Sequence, residues 1–307
     1  MYVTARKIIL CILLVMTALC TQAQITPTAT YEYVKRDSSL YFDLYKASNS
    51  ADNYTVVFVF GGGFIGGSRN EPYYFPYYSK LVQNNINVVA IDYRLGLKGV
   101  KGIGIFNYKP LQNAISMAAE DLLTATKYII DHEKELQIDS KKLIIAGSSA
   151  GAITVLQADY ELCNRTKIGQ ILPDGFRYAG VMSFAGAIFS TNGKVKYRKQ
   201  APAPTMMLHG TADHLVTYKQ IKMFNVGMFG SSKLVKRFDK YGYPYYIVRF
   251  NTIGHEVAAR MFDDFDKSMW FIENYIVKGA NIHRDDFIDD PTIERLKFGS
   301  ARPSDLY

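Results

Sequence analysis

The sequence holds 307 residues, 48% hydrophobic and 21% charged, enough apolar material for one large domain with a real core. No Pro/Gly/Ser-rich linker or internal repeat divides it. Its formal charge of +8 is scattered apart from modest clusters at 194–199 and 233–237, and no matching fold signature accompanies it. Nucleic-acid binding is therefore not indicated, and attraction to anionic polymers is the milder implication.

At the amino terminus, Arg6 and Lys7 precede an apolar run over 8–19, and small residues follow at Thr21 and Ala23. These are the parts of a secretory signal peptide cleaved after Ala23. The run is short for a transmembrane helix, and no other segment is long enough to span a bilayer. Leu19 is too large for the usual small-residue rule of a lipidation site at Cys20. Removal of the leader takes Arg6 and Lys7 away and lowers the charge by two, to +6. It also leaves Cys163 as the sole cysteine, so no internal disulfide is expected and Cys163 reads as a small buried hydrophobe. The protein is expected to be exported, to the periplasm or beyond. The expected organisation is a signal peptide (1–23), one domain (24–278) and a carboxy-terminal tail (279–307).

Along the mature chain, "YEYV" and "LYFDLY" flank the polar "KRDSS" and predict a β-hairpin over 31–34 and 40–45. The runs 54–60 and 86–91 are nearly continuous in apolar residues, as strands covered on both faces should be. A helix is predicted over 114–135. Further strands are predicted over 143–146, 178–184, 205–208 and 245–250, with an amphipathic closing helix over 262–277. Buried strands alternating with helices imply an α/β fold: a mostly parallel central sheet with helices on both faces. Ligands then bind beyond the carboxyl ends of the strands. The tail beyond 279 is rich in Asp and Arg and reads as surface-docked or disordered.

The loops that follow the strands carry the chemistry. Gly147-Ser148-Ser149-Ala150-Gly151 matches G-x-S-x-G in a strand–turn–helix setting, with Ser149 at the nucleophile position. A serine hydroxyl needs a base. Of the five histidines, His132 sits in a charged helix end, His283 in the tail, and His209 at a strand end where an ordinary hydrogen bond explains it. His214 lies beside Asp213. His255, in "TIGHE" after the last strand, is the preferred base, and Asp213, in "HGTADH", is its orienter. The chain order Ser149, Asp213, His255 is that of an elbow-type hydrolase. "FGGGF" follows the first buried strand, and the backbone amides of Gly62, Gly63 and Ala150 are the expected oxyanion donors. No Lys-Ser/Thr pair follows the glycines, so a nucleotide P-loop does not fit.

These motifs resemble the α/β-hydrolase superfamily, and within it the exported carboxylesterases with an "HGGGF" oxyanion motif, a group that includes feruloyl and acetyl-xylan esterases. The resemblance runs from about 54 to 277 through "VFVFGGGFIGGSR", "VVAIDYRLG", "IDSKKLIIAGSSAGA", "MLHGTADHLVTY" and "GHEVA". It implies an α/β-hydrolase fold and hydrolysis of a small-molecule or oligosaccharide ester through an acyl-enzyme. The mechanism it implies needs no metal and no organic cofactor; the scattered charge and the short apolar runs point to no nucleic acid and no stable membrane insertion after cleavage. Phe60 replaces the family's usual histidine, which helps brace the loop. Asp92, Tyr93 and Arg94 match family positions that hold loops together, and Arg94 and Asp121 read as structural charges. Two aromatic stretches, 71–78 and 241–246, are candidates for setting specificity or for ordinary packing, and 96–110 reads as a loop at the mouth with a lid role. Alternatives are a serine peptidase of the prolyl-oligopeptidase type, a binding module that has lost activity, and a metal site from His209, Asp213, His214 and His255.

Overall fold

The computed structural model describes residues 25–48, 52–104 and 106–306; the leader read at 1–23 lies outside the described residues. In chain order the main elements are β1 (Ala29–Lys35), β2 (Ser39–Tyr45), β3 (Thr55–Val59), α1 (Phe75–Gln83), β4 (Asn87–Ile91), α2 (Lys109–Asp131), β5 (Leu143–Ser148), α3 (Ala150–Asn164), β6 (Gly180–Phe184), β7 (Ala187–Ser190), β8 (Thr205–Gly210), β9 (Gln220–Met223), β10 (Val226–Gly230), α4 (Ser231–Tyr241), β11 (Tyr245–Phe250), α5 (Phe265–Phe271) and β12 (His283–Ile288). Nine strands form one sheet in the order β1-β2-β4-β3-β5-β6-β8-β11-β12. The hairpin edge is antiparallel, and every pairing from β4 to β12 is parallel.

Parallel neighbours need crossovers, and the crossover helices cover the sheet. Every residue of β3, β4, β5, β6 and β8 is accordingly buried, which is why these strands read as unbroken apolar runs. Helix α2 buries Ala114, Ala118, Leu122, Ala125 and Ile129 at helical spacing. It starts at Lys109 instead of 114, with Pro110 in the first turn, where a missing N–H costs nothing. The closing helix is α-helical only over Phe265–Phe271, and Ile272–Val277 winds with the wider π spacing.

Three features differ from the sequence reading. Helix α1 takes up the second half of the first aromatic stretch. Tyr77 and Tyr78 are wholly buried and pack on Phe58 of β3, so these two rings are core packing. In the second stretch Tyr245 and Tyr246 are likewise buried, in β11. A small antiparallel sheet, β7-β10-β9, stands apart from the main one. The segment after 278 is not only a tail: β12 pairs in parallel with β11 and supplies the last strand of the main sheet. Its alternating exposure, with no residue buried, is that of an edge strand. Among the described residues no helix is long and apolar enough to cross a membrane.

Candidate active site

Strand β5 ends at Ser148 and helix α3 begins at Ala150, so Ser149 is the turn between them, with φ 52° and ψ −116°. That backbone conformation costs a non-glycine residue about 1–3 kcal/mol and needs surrounding structure to enforce it. Part of the enforcement is the Ser149 amide, which donates to the Phe184 carbonyl at 2.9 Å and ties the elbow to β6. Gly151 gives the turn the room it needs. A methyl group there would stand 2.0 Å from the Val59 carbonyl oxygen, so only glycine lets α3 pass over the end of β3.

Ser149 Oγ lies 2.8 Å from His255 Nε2, and His255 Nδ1 lies 2.8 Å from Asp213 Oδ2. A carboxylate only accepts, so Nδ1 carries the proton and the bare Nε2 accepts from the serine hydroxyl. Asp213 is itself fixed: its Oδ1 accepts the amides of Leu215 at 3.0 Å and Val216 at 2.9 Å. Burial alone would raise the Asp213 pKa. Hydrogen bonds from His209 and His255 outweigh it and hold the carboxyl well below the usual range. The sequence grouped His209 with this carboxylate only in the metal-site alternative, not as its hydrogen-bonding neighbour. Its Nε2 donates to the Val216 carbonyl at 2.9 Å and lies 3.4 Å from Asp213 Oδ2, while Nδ1 accepts from Ser231 at 2.8 Å. It braces the Asp213 turn.

The glycine loop is braced without a histidine. Phe60 is buried and stacks on Tyr93 with ring centroids 4.4 Å apart. Tyr93 Oη donates to the carbonyls of Phe60 and Gly61 at 3.2 and 3.3 Å. Tyr74 Oη accepts the Gly61 amide at 2.9 Å and also interacts with the Ser148 hydroxyl. Ser148 Oγ in turn donates to the Ala258 carbonyl at 2.8 Å, in the short helix His255–Ala259 that carries the base. Tyr74 and Ser148 thus link the glycine loop, the elbow and the histidine loop. No signal in the sequence marked either residue for this.

Gly63, Ser149 and Ala150 line one cavity of about 170 Å³. Gly62, with φ 110°, turns the loop one residue earlier, and its carbonyl accepts the amides of Ile65 and Gly66. Ile103, Gly104 and Tyr108 of the 96–110 loop also face the cavity, as do Ile153, Phe189, Leu215, Ile221 and Met228. Among the described residues no charged side chain lines it. The carboxy-terminal segment reaches the site as well: the Phe298 ring meets His255 edge-on with centroids 6.4 Å apart, and Pro303 lines the cavity.

The remaining candidates fall elsewhere. His132 stacks on Tyr128, His214 is exposed, and His283 lies 3.2 Å from Asp239. Among the described residues no group of three or more side chains is arranged to hold a metal. Arg94 donates to both oxygens of Asp121, and Arg69 pairs with Asp92. Both are loop-holding pairs away from the serine.

Known proteins share parts of this chain. The BD-FAE family profile matches residues 42–166. Fumonisin B1 esterase of Sphingopyxis macrogoltabida is 34% identical over 99 residues, which is 32% of this chain and 18% of that one. Juvenile hormone esterase of Heliothis virescens is 31% identical over 97 residues, 32% of this chain and 16% of that one. The chain thus spans less than a fifth of the length of these two curated relatives. A thermophilic esterase of Thermogutta terrifontis superposes with a TM-score of 0.58 at 19% identity, covering 87% of this chain and 95% of that one. The chain has the α/β-hydrolase fold.

Proposed function

We propose that the protein is a serine carboxylesterase working through an acyl-enzyme. Ser149 Oγ attacks the ester carbonyl carbon while His255 Nε2 takes its proton, and Asp213 stabilises the resulting imidazolium. The amides of Gly62, Gly63 and Ala150 hold the carbonyl oxygen as it becomes an anion. The tetrahedral intermediate collapses, and the alcohol leaves with the proton from Nε2. A water then gives a proton to Nε2 and attacks the acyl carbon, and collapse returns that proton to Ser149 and frees the acid. One observation carries this reading: two successive 2.8 Å contacts join Ser149, His255 and Asp213, and the serine end opens into an uncharged cavity. The esterase names among the relatives support the same reaction class.

The cavity is roomier than an acetyl group requires, and its walls are aliphatic and aromatic. It suits an aryl acyl group such as feruloyl, or a medium-length aliphatic one, with the alcohol, a carbohydrate included, left outside. The leader-like start supports export. The test is incubation with a fluorophosphonate, peptide mapping, and assay against acetyl, aliphatic and feruloyl esters. An adduct on Ser149 together with ester turnover is expected. An unlabelled Ser149 with no ester hydrolysed would sink the reading.

A further inference from the structure

The rim of the cavity carries the two most exposed large apolar side chains among the described residues. Phe106 is 87% exposed and Phe224 86%, and the next, Phe287, is 61%. Single exposed apolar residues are ordinary, but these two share a location. Phe106 sits between Gly104 and Tyr108, which line the cavity, and Phe224 sits in the β9–β10 turn between the cavity residues Ile221 and Val226. Neither ring packs against another ring among the described residues.

The charge on the two loops that carry them has one sign. The 96–110 loop holds Lys98, Lys101 and Lys109, and the segment 217–229 holds Lys219 and Lys222; neither stretch contains Asp or Glu. All five lysines are exposed, and none forms an ion pair among the described residues. The third part of the rim, around Pro303, adds one residue of each sign, Arg302 and Asp305. Exposed rings at two loop tips, set among unpaired lysines, match a surface that is apolar beneath and negative on top.

We propose that this rim docks the protein on an anionic lipid surface. Phe106 and Phe224 enter the boundary between headgroups and acyl chains, the lysines meet the headgroup charges, and the cavity mouth faces the lipid. An anionic polysaccharide would satisfy the lysines but leave both rings in water, so it fits the surface less well. The inference does not depend on ester hydrolysis.

The test is sedimentation of the chain from Gln24, which holds every described residue, with vesicles of phosphatidylcholine with or without phosphatidylglycerol. Binding is expected only with the anionic lipid, to be weakened by salt, and to persist in Ser149→Ala. The double variant Phe106→Ser/Phe224→Ser is expected to bind about tenfold or more weakly, with an unchanged melting temperature as the check on folding. Lys98→Gln/Lys219→Gln/Lys222→Gln is expected to lose the preference for phosphatidylglycerol. No binding to anionic vesicles, equal binding by the phenylalanine variant, or retention on an immobilised anionic polysaccharide alone would overturn the proposal.

Discussion

The adjacent hydroxyls of Ser148 and Ser149 hold two ends of one short helix: Ser149 Oγ meets His255 Nε2 and Ser148 Oγ meets the Ala258 carbonyl, each at 2.8 Å. The first is a reactive contact and the second a structural one. Ser149→Ala is expected to lower kcat on p-nitrophenyl esters by about 10⁴-fold or more. Ser148→Ala is expected to cost about 1–3 kcal/mol of stability, from a buried carbonyl that loses its donor, and less than about a hundredfold in kcat. Comparable kcat losses in the two variants would contradict the division.

Asp213 is held ionised by two histidines. Its pKa is depressed, so the stability it contributes is present above the ordinary carboxylate pKa and is lost only as pH falls through the lower folded value. It therefore stays charged in mild acid, and a fall in activity near neutrality belongs to another group. Asp213→Asn can offer an N–H to Nδ1, which places the imidazole proton on Nε2, where it cannot accept from Ser149. A loss of about 10⁴-fold in kcat is expected, with a lowered melting temperature because the stabilisation of the carboxylate by the two histidines is lost; steady-state kinetics and calorimetry check both.

Tyr74 connects the glycine loop to Ser148. Tyr74→Phe removes the acceptor of the Gly61 amide without opening a large void. We expect kcat to fall about 10-fold while KM changes little, because the loss bears on loop position at the developing anion. In a double-mutant cycle with Ser148→Ala the effects should be less than additive. Strict additivity would show that the two hydroxyls act separately.

Asp159 is buried in α3 without an ion pair at contact distance among the described residues, and burial pushes its carboxyl up to about 7. A raised carboxyl pKa means the folded state keeps a proton that the unfolded state has released. Stability is then fullest below the ordinary carboxylate pKa and falls as pH rises toward about 7. Asp159→Asn removes the titration, so its melting temperature should vary less than the parent's between mildly acidic and neutral pH. Parallel curves for the two proteins would refute the assignment.

What the sequence revealed follows physical locality. The elbow was legible because its steric demands fall within five residues, with Gly151 close under the end of β3. The central strands were legible because burial on both faces leaves nothing but apolar residues. Helix α1 was not, because Pro72, Pro76 and a run of tyrosines obscure its period. Helix α4 does bury Leu234, Val235 and Phe238 at helical spacing, but its lysines read as a basic cluster. Strands β9 and β12 bury little and show no apolar alternation. The Tyr74–Gly61 and Ser148–Ala258 links depend on three-dimensional packing that no local pattern encodes.

The path of the chain after β12 sets an order of events during synthesis. Phe298 and Pro303 arrive at the imidazole and the cavity wall after every other part of the site has been translated. A polypeptide translated only as far as β12 would hold all three triad residues but an unfinished wall beside the base, so the wall is completed later than the triad.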